Sequence, residues 1–335
     1  MNAATENFSD VRAAFSFDEI FRSGTPPLFL APMSGFTDVA FRELCKTHGA
    51  DVLVSEFVQS EPLIRDKERA WRDVDFTPTQ RPMGIQIFGA IPESMAAAAR
   101  LLEERLHPDF IDLNFGCPAR KVVEQNAGSG LLRDLPTMEK IARAVIAAVP
   151  STPVTAKIRL GWDAQNIVAV DAARRLEAAG VRALAVHGRT KAQGYSGAAD
   201  WEKIAEVVRA VKIPVVGNGD IRDAETALRR LRESGVAGLM IGRGALGNPW
   251  IFSEIKSALA GKIVPEKPSP DEIFATLFRY AETLARTRGA GGEKNIRWLL
   301  ARLHPFTYGV AGGKNVRAEL SHCTTLDDLA ELLAR

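Results

Sequence analysis

The chain has 335 residues, 46% of them hydrophobic and 25% charged, with a formal net charge of +2; this is globular composition, long enough for one large core and a small second unit, and its charge neither demands nor excludes a nucleic-acid partner. Cys45, Cys117 and Cys323 are its 3 cysteines, widely spaced and without a CxxC pair, which argues against a disulfide framework or a metal site and fits a reducing cytoplasm. No apolar run approaches the ~20 residues of a membrane span, and the opening MNAATENFSDVRAAF lacks the apolar core of a secretory leader.

Residues 1–27 read as an N-terminal extension. From residue 28, short apolar runs alternate with helical patterns. The strand candidates are LFLAPM (28–33), VLVSEF (52–57), MGIQIFG (83–89), FIDLNFG (110–116), VTAKIRLG (154–161), ALAVHGR (183–189), PVVGNGD (214–220) and GLMIGRG (238–244). Near-continuous apolar strands suit a parallel sheet covered on both faces. Amphipathic stretches lie between them. PESMAAAARLLEERL (92–106) turns Glu103, Glu104 and Arg105 outward, and PTMEKIARAVIAAV (136–149) opens on proline.

Eight strand–helix units over 28–261 predict a (β/α)8 TIM barrel, a fold of about 250 residues. The alternative, a doubly wound dinucleotide fold, calls for a GxGxxG after the first strand, and none is present. A barrel places its site at the C-terminal ends of its strands. Polar residues gather at those ends: Ser34, Glu56, Gln86, Asn114, Lys157, Arg159, His187, Arg189, Asn218, Asp220 and Arg243. KIVPEKPSP (262–270) reads as a linker, and 271–335 as a small all-helical domain.

Several residues point to chemistry. GNGD and GLMIGRG expose backbone N–H groups beside Arg243, the arrangement of a barrel phosphate site, although tight turns also use such glycines. Lys157 sits in an apolar strand, where an ammonium needs a neighbouring anion: a reduced flavin, or a carboxylate such as Glu56. His187 could bind a cofactor or be a satisfied core histidine. Gln86 can offer donor and acceptor to a heterocycle edge. Cys117 opens a loop on the catalytic face rather than sitting inside an apolar run. No base partner for a nucleophile is recognisable, so proton donation is the expected role. Its loop carries Arg120, Lys121 and two glycines, Gly128 and Gly130, and could move as a lid. Cys45 and Cys323 are assigned to packing.

In the helical part, residues 294–318 hold Lys294, Arg297, Arg302, Lys314 and Arg317 with no acid, interleaved with Trp298, Phe306 and Tyr308. Over 251–335 there are 12 Lys/Arg against 10 Asp/Glu, so the basic character is local. Such a stretch suits phosphate contact and base stacking, or equally a solvated helix face over a core containing Trp298.

In order, LAPMSGFTDVAFR, QIFG, DLNFGCPARKV with GSGLL, KIRLGW, VHGRT, GNGDI and MIGRGALGNPWIF over 28–253 resemble the tRNA-dihydrouridine synthase family, most closely its bacterial B-type branch. The resemblance implies an FMN-bound barrel that reduces the C5–C6 double bond of particular D-loop uridines in tRNA, with NADPH or NADH as electron donor. It implies that Pro32, Met33, Ser34, Gln86, Lys157, His187, Asn218, Gly219, Asp220, Gly242 and Arg243 bind FMN. Cys117 would be the general acid to C5, and Asn114 and Arg159 would contact the uracil. Arg120, Lys121, Arg297, Lys314 and Arg317 would hold the RNA. No metal is implied, and a monomer is expected. A uridine in ribosomal RNA and a free pyrimidine, as in dihydroorotate dehydrogenases, are the alternative substrates.

Overall fold

The computed structural model describes residues 16–22, 24–287 and 295–334. Nine strands are seen among them: β1 (Leu28–Leu30), β2 (Val52–Val54), β3 (Val58–Gln59), β4 (Met83–Phe88), β5 (Phe110–Phe115), β6 (Val154–Arg159), β7 (Leu184–His187), β8 (Val215–Asn218) and β9 (Gly238–Ile241). All pairings are parallel. The ring β1-β2-β4-β5-β6-β7-β8-β9 closes through β9 onto β1, with β3 as an extra pairing on β4. The fold is therefore the expected (β/α)8 barrel, followed by a helical C-terminal region.

Seven of the eight expected strands form as single runs, and the expected 92–106 helix spans Pro92–Leu106, burying Met95, Ala98, Ala99 and Leu102. The run 52–57 is not one strand. It breaks after Val54, where Ser55 donates its N–H to Gly84 O and its hydroxyl oxygen accepts from Gln86 N at 3.0 Å. Pairing with β4 resumes at Val58. The interruption turns the Glu56 carboxylate toward Gly35 N, 2.9 Å away.

Two cores follow from strand alternation. Outward residues pack against the surrounding helices. Inward residues Phe29, Val52, Val54, Phe110, Ala183, Ala185, Val216 and Met240 fill the lower barrel with Phe17 and Ile20. Gly84 makes room for Phe110, since a Cβ there would lie 2.1 Å from its ring. The extension, whose part in the fold was not legible in its sequence, thus contributes a plug. Phe17–Phe21 forms a 3-10 turn, Phe17 meets the Phe110 ring edge-on at 5.5 Å, and Phe21 stacks on Phe29 at 6.1 Å. Asp18 pairs with Arg182 at 2.6 Å.

Residues 262–269 have no regular secondary structure, and Ile263 is exposed. The helix Pro270–Arg286 then begins with a capping box, Ser269 and Glu272. Its Tyr280 hydroxyl donates to Asp38 Oδ2 at 2.9 Å, and Arg302 pairs with the same oxygen at 3.2 Å. Asp38 also caps the helix Val39–Thr47. Leu277, Tyr280, Leu299, Leu303 and Phe306 join the outer barrel core. Gly247, after β9, has φ +69° and packs against the turn at Pro305, where a Cβ would lie 2.3 Å from the proline backbone. A helix over Gly313–Glu319 and a second over Leu326–Leu333 complete the region.

Candidate active site

A cavity of about 800 Å³ opens at the C-terminal ends of the strands. Every residue expected at the cofactor lines it: Pro32, Met33, Ser34, Gln86, Lys157, His187, Asn218, Gly219, Asp220, Gly242 and Arg243. Cys117, Asn114 and Arg159 line it as well. Arg120, Lys121, Arg297, Lys314 and Arg317 lie outside it. Among the described residues no group of His, Cys, Asp and Glu is arranged to hold a metal.

The floor is built by strand register. Asn114 is paired with Lys157, Arg159 with His187, and His187 with Asn218. Lys157 donates to Asn218 Oδ1 at 3.2 Å, and Asn218 donates to Met240 O at 2.7 Å. Glu56 is engaged with Gly35 instead, and among the described residues Lys157 has no carboxylate in ion-pair contact. The carboxylate alternative for Lys157 therefore fails. Burial, reinforced by Arg159, draws the Lys157 ammonium down to about 8, opposed by Asp112. An anion in the cavity is what this ammonium lacks.

His187 is buried and held neutral, far below its ordinary range, first by burial and then by Lys157, Arg159, Arg189 and Arg243. It can serve a ligand as a neutral donor or acceptor. Asp220 accepts from Arg189 at 2.7 and 2.9 Å, from Ala199 N at 2.8 Å and from Arg243 at 3.3 Å. Its carboxylate is thus spent on holding the rim together. Gly219, at φ +136°, passes between Ala199 and His187, where a Cβ would lie 2.5 Å from Ala199 Cβ.

Arg159 is 2% exposed and donates to Gly116 O at 2.9 Å and to Thr190 O and Gly194 O at 2.8 Å. These bonds fasten the loop that carries Tyr195 over the cavity, with the Arg159 guanidinium 5.6 Å and the Arg243 guanidinium 4.8 Å from its ring. Gln86 has already committed one donor and one acceptor, to Asp112 and Asn114, which leaves one of each for a ligand.

The Cys117 thiol is half-buried, and burial pushes it above its ordinary value against the pull of Arg159 and Lys157. It is therefore protonated at neutral pH. Its N–H is held by Asn114 Oδ1 at 2.9 Å and its carbonyl by Ser129 N and Oγ. Val122 and Ala127 pack on Phe88. The loop expected to act as a lid is thus anchored at its base, and only its outer turn, with Arg120 and Lys121, is exposed. Cys45 and Cys323 are buried, as expected.

The dihydrouridine synthase (Dus) family model matches residues 29–334. The chain belongs to the dihydrouridine synthase family. It is 40% identical to a probable tRNA-dihydrouridine synthase of Rhodobacter capsulatus over 89% of this chain and 91% of the relative. It is 40% identical to tRNA-dihydrouridine synthase B of Pseudomonas aeruginosa over 90% of this chain and 89% of the relative. Further B-type relatives place the chain nearest that branch of the family. Histamine dehydrogenase from Rhizobium sp. 4-9 shares the fold at TM-score 0.55 and 12% identity, over 76% of this chain and 48% of that one.

Against the family motifs, one cavity group, Tyr195, and two buried groups behind the wall, Asp112 and Arg189, went unassigned in the sequence. Asp112, Arg189 and Tyr195 act through partners on other strands or loops. Arg189 stood in VHGRT and Tyr195 in a glycine-rich loop, but neither spacing shows what it touches. In the helical region the two readings of 294–318 divide residue by residue. Phe306 is core, Trp298 packs against it, and Arg302 is spent on Asp38. Arg297 and Lys314 are exposed, and Arg317 lies over the exposed Tyr308 ring at 4.6 Å. Lys294 is outside the described residues.

Proposed function

We propose that this protein binds FMN in the cavity and reduces the C5–C6 double bond of particular D-loop uridines in tRNA to dihydrouridine. The observation that carries the reading is the pairing, in one cavity, of a thiol kept protonated by burial with an ammonium that has no carboxylate partner. The family and the names of the relatives point the same way.

When bound, FMN reduced by NADPH or NADH would supply the hydride for C6 of the uracil. The chain's own residues do the rest. Lys157 balances negative charge in the cavity. Arg243 and the backbone N–H groups at Gly219 and Gly242 receive the phosphate. Pro32, Met33, Ser34, Gln86, His187, Asn218 and Asp220 shape the remaining wall. Negative charge develops toward C5 of the base, and the Cys117 thiol gives its proton there. The thiolate left behind sits near Lys157 and Arg159, whose charges favour it, until water restores the proton. Asn114 and Arg159 face the uracil. The uridine must leave its stack to reach this depth. Arg120, Lys121, Arg297, Lys314 and Arg317 hold the surrounding RNA, with 271–335 as the RNA-binding part.

The test is a dihydrouridine map of total RNA from a parent strain and one lacking this gene. Loss at one or a few tRNA uridines is expected. Loss confined to ribosomal RNA would change the substrate, and no loss anywhere would overturn the proposal.

A further inference from the structure

The chemistry above leaves one buried acid without a task. Asp112 lies two residues before Asn114 on the inward row of β5 and is 3% exposed. In register it stands between Gln86 of β4 and Thr155 of β6. Its Oδ2 accepts from Gln86 Nε2 at 2.5 Å, and its Oδ1 accepts from the Thr155 hydroxyl at 2.6 Å. A carboxyl this deep in a barrel is costly, so its partners matter.

An amide has two unlike ends. Because Asp112 offers an acceptor, Gln86 turns its NH2 toward Asp112 and its oxygen toward Asn114. Gln86 Oε1 then accepts from Asn114 Nδ2 at 2.7 Å. Asn114 must in turn face its oxygen toward the loop, where it accepts from Gly116 N at 3.1 Å and Cys117 N at 2.9 Å. Both lone pairs of that oxygen are used. What Asn114 has left for a ligand is a single N–H, which suits a carbonyl and not another N–H. Burial raises the Asp112 carboxyl above its ordinary range. A proton on Oδ1, donated to Thr155, would still leave Oδ2 an acceptor, so the order of donors is the same in either form.

We propose that Asp112 is a positioning residue that sets the polarity of the Gln86–Asn114 amide pair, and so both seats the Cys117 backbone and makes Asn114 a donor toward a substrate carbonyl. The identity of that substrate rests on the proposed function; the polarity itself does not.

The experiment is thermal melting of the flavin-loaded protein across pH for three variants. Asn114→Asp puts carboxylates at both ends of the Gln86 amide, so one of them faces the amide oxygen unless it takes up a proton. Its melting temperature is expected to fall relative to wild type as pH rises. Adding Asp112→Asn supplies a donor to a reversed Gln86 and keeps an acceptor for Thr155, so stability returns and the added pH dependence disappears. Asp112→Leu in its place removes the same charge but offers no donor, and is expected not to rescue. Should Asn114→Asp fail to fold, recovery of folded protein by Asp112→Asn and not by Asp112→Leu is the same result. Equal rescue by both would reduce the effect to charge and overturn the proposal, as would rescue by neither. These melts require no RNA. Absence of dihydrouridine loss in the deletion strain would overturn the functional reading and leave the polarity result standing.

Discussion

The two ends of the barrel are made from the same strands and do opposite things. Along the inward row of β5, Phe110 touches the aromatic plug, Asp112 anchors a polar layer, and Asn114 lines the cavity. At β7, Ala183 just before the strand and Ala185 within it belong to the lower apolar cluster, while His187 belongs to the cavity. Within a few residues the interior changes from a packed core to a cationic well. The lower end tolerates no charge because nothing there would solvate it. The upper end gathers Lys157, Arg159 and Arg243 around a space for an anion, with Arg189 behind them on Asp220. Stability and chemistry are thus separated along one axis, and each can be attacked without the other.

The largest expected effect is at the upper end. Cys117→Ala should slow dihydrouridine formation by about 10²–10⁴-fold, the usual worth of a positioned acid, while flavin stays bound and the melting temperature hardly moves. Single-turnover reduction of RNA by the pre-reduced protein checks this, and an unchanged rate would remove Cys117 from the reaction. At the lower end, Phe17→Ala should cost about 3 kcal/mol of stability, because a buried ring is lost from the plug. Denaturant unfolding measures it, and the turnover of the folded fraction should be preserved. If that variant instead lost turnover at full stability, the separation of the two ends would be wrong.

The next effect depends on pH. The Lys157 value is drawn down to about 8 in the ligand-free protein, so the ammonium is present below that pH and lost above it. Affinity for FMN should therefore fall as pH climbs past about 8, and Lys157→Met should bind weakly with a flat profile. Fluorescence titration of the flavin-stripped protein distinguishes the two. The smallest effect lies on the helical surface. Lys314→Ala should lower the salt dependence of RNA binding by about one in the log–log slope, with little change in turnover at saturating RNA. An unchanged slope would take Lys314 off the RNA.

The upper end was the more legible of the two. Parallel strands buried on both faces leave polar residues only where they end, so Gln86, Asn114, Lys157, His187 and Asn218 stood out against apolar runs. Cys117 stood out for its place at a loop start. Asp112 did not, because a single acid inside FIDLNFG gives no sign that Gln86 and Thr155 flank it across the sheet. Arg159 was legible as a site residue but not as the clamp on the Tyr195 loop, since its acceptors are backbone carbonyls far along the chain. The plug was hidden for a similar reason: Phe17, Ile20 and Phe21 form one short turn whose partners begin at Phe29 and Phe110. The break between β2 and β3 was missed because Ser55–Phe57 satisfies its backbone and side chains through β4 and Gly35, contacts that no local pattern encodes.

The close approach of Gly247 to Pro305 sets the interval between the helical region and the well by exclusion. A methyl group at 247 would have to occupy space already held by the proline backbone, and the positive φ there adds a second penalty. Any side chain at that point acts as a shim: it would have to displace the Pro305 turn, next to Leu246 at the mouth. The spacing between the helical region and the barrel mouth is in this sense a ruler, and its zero mark is a hydrogen atom.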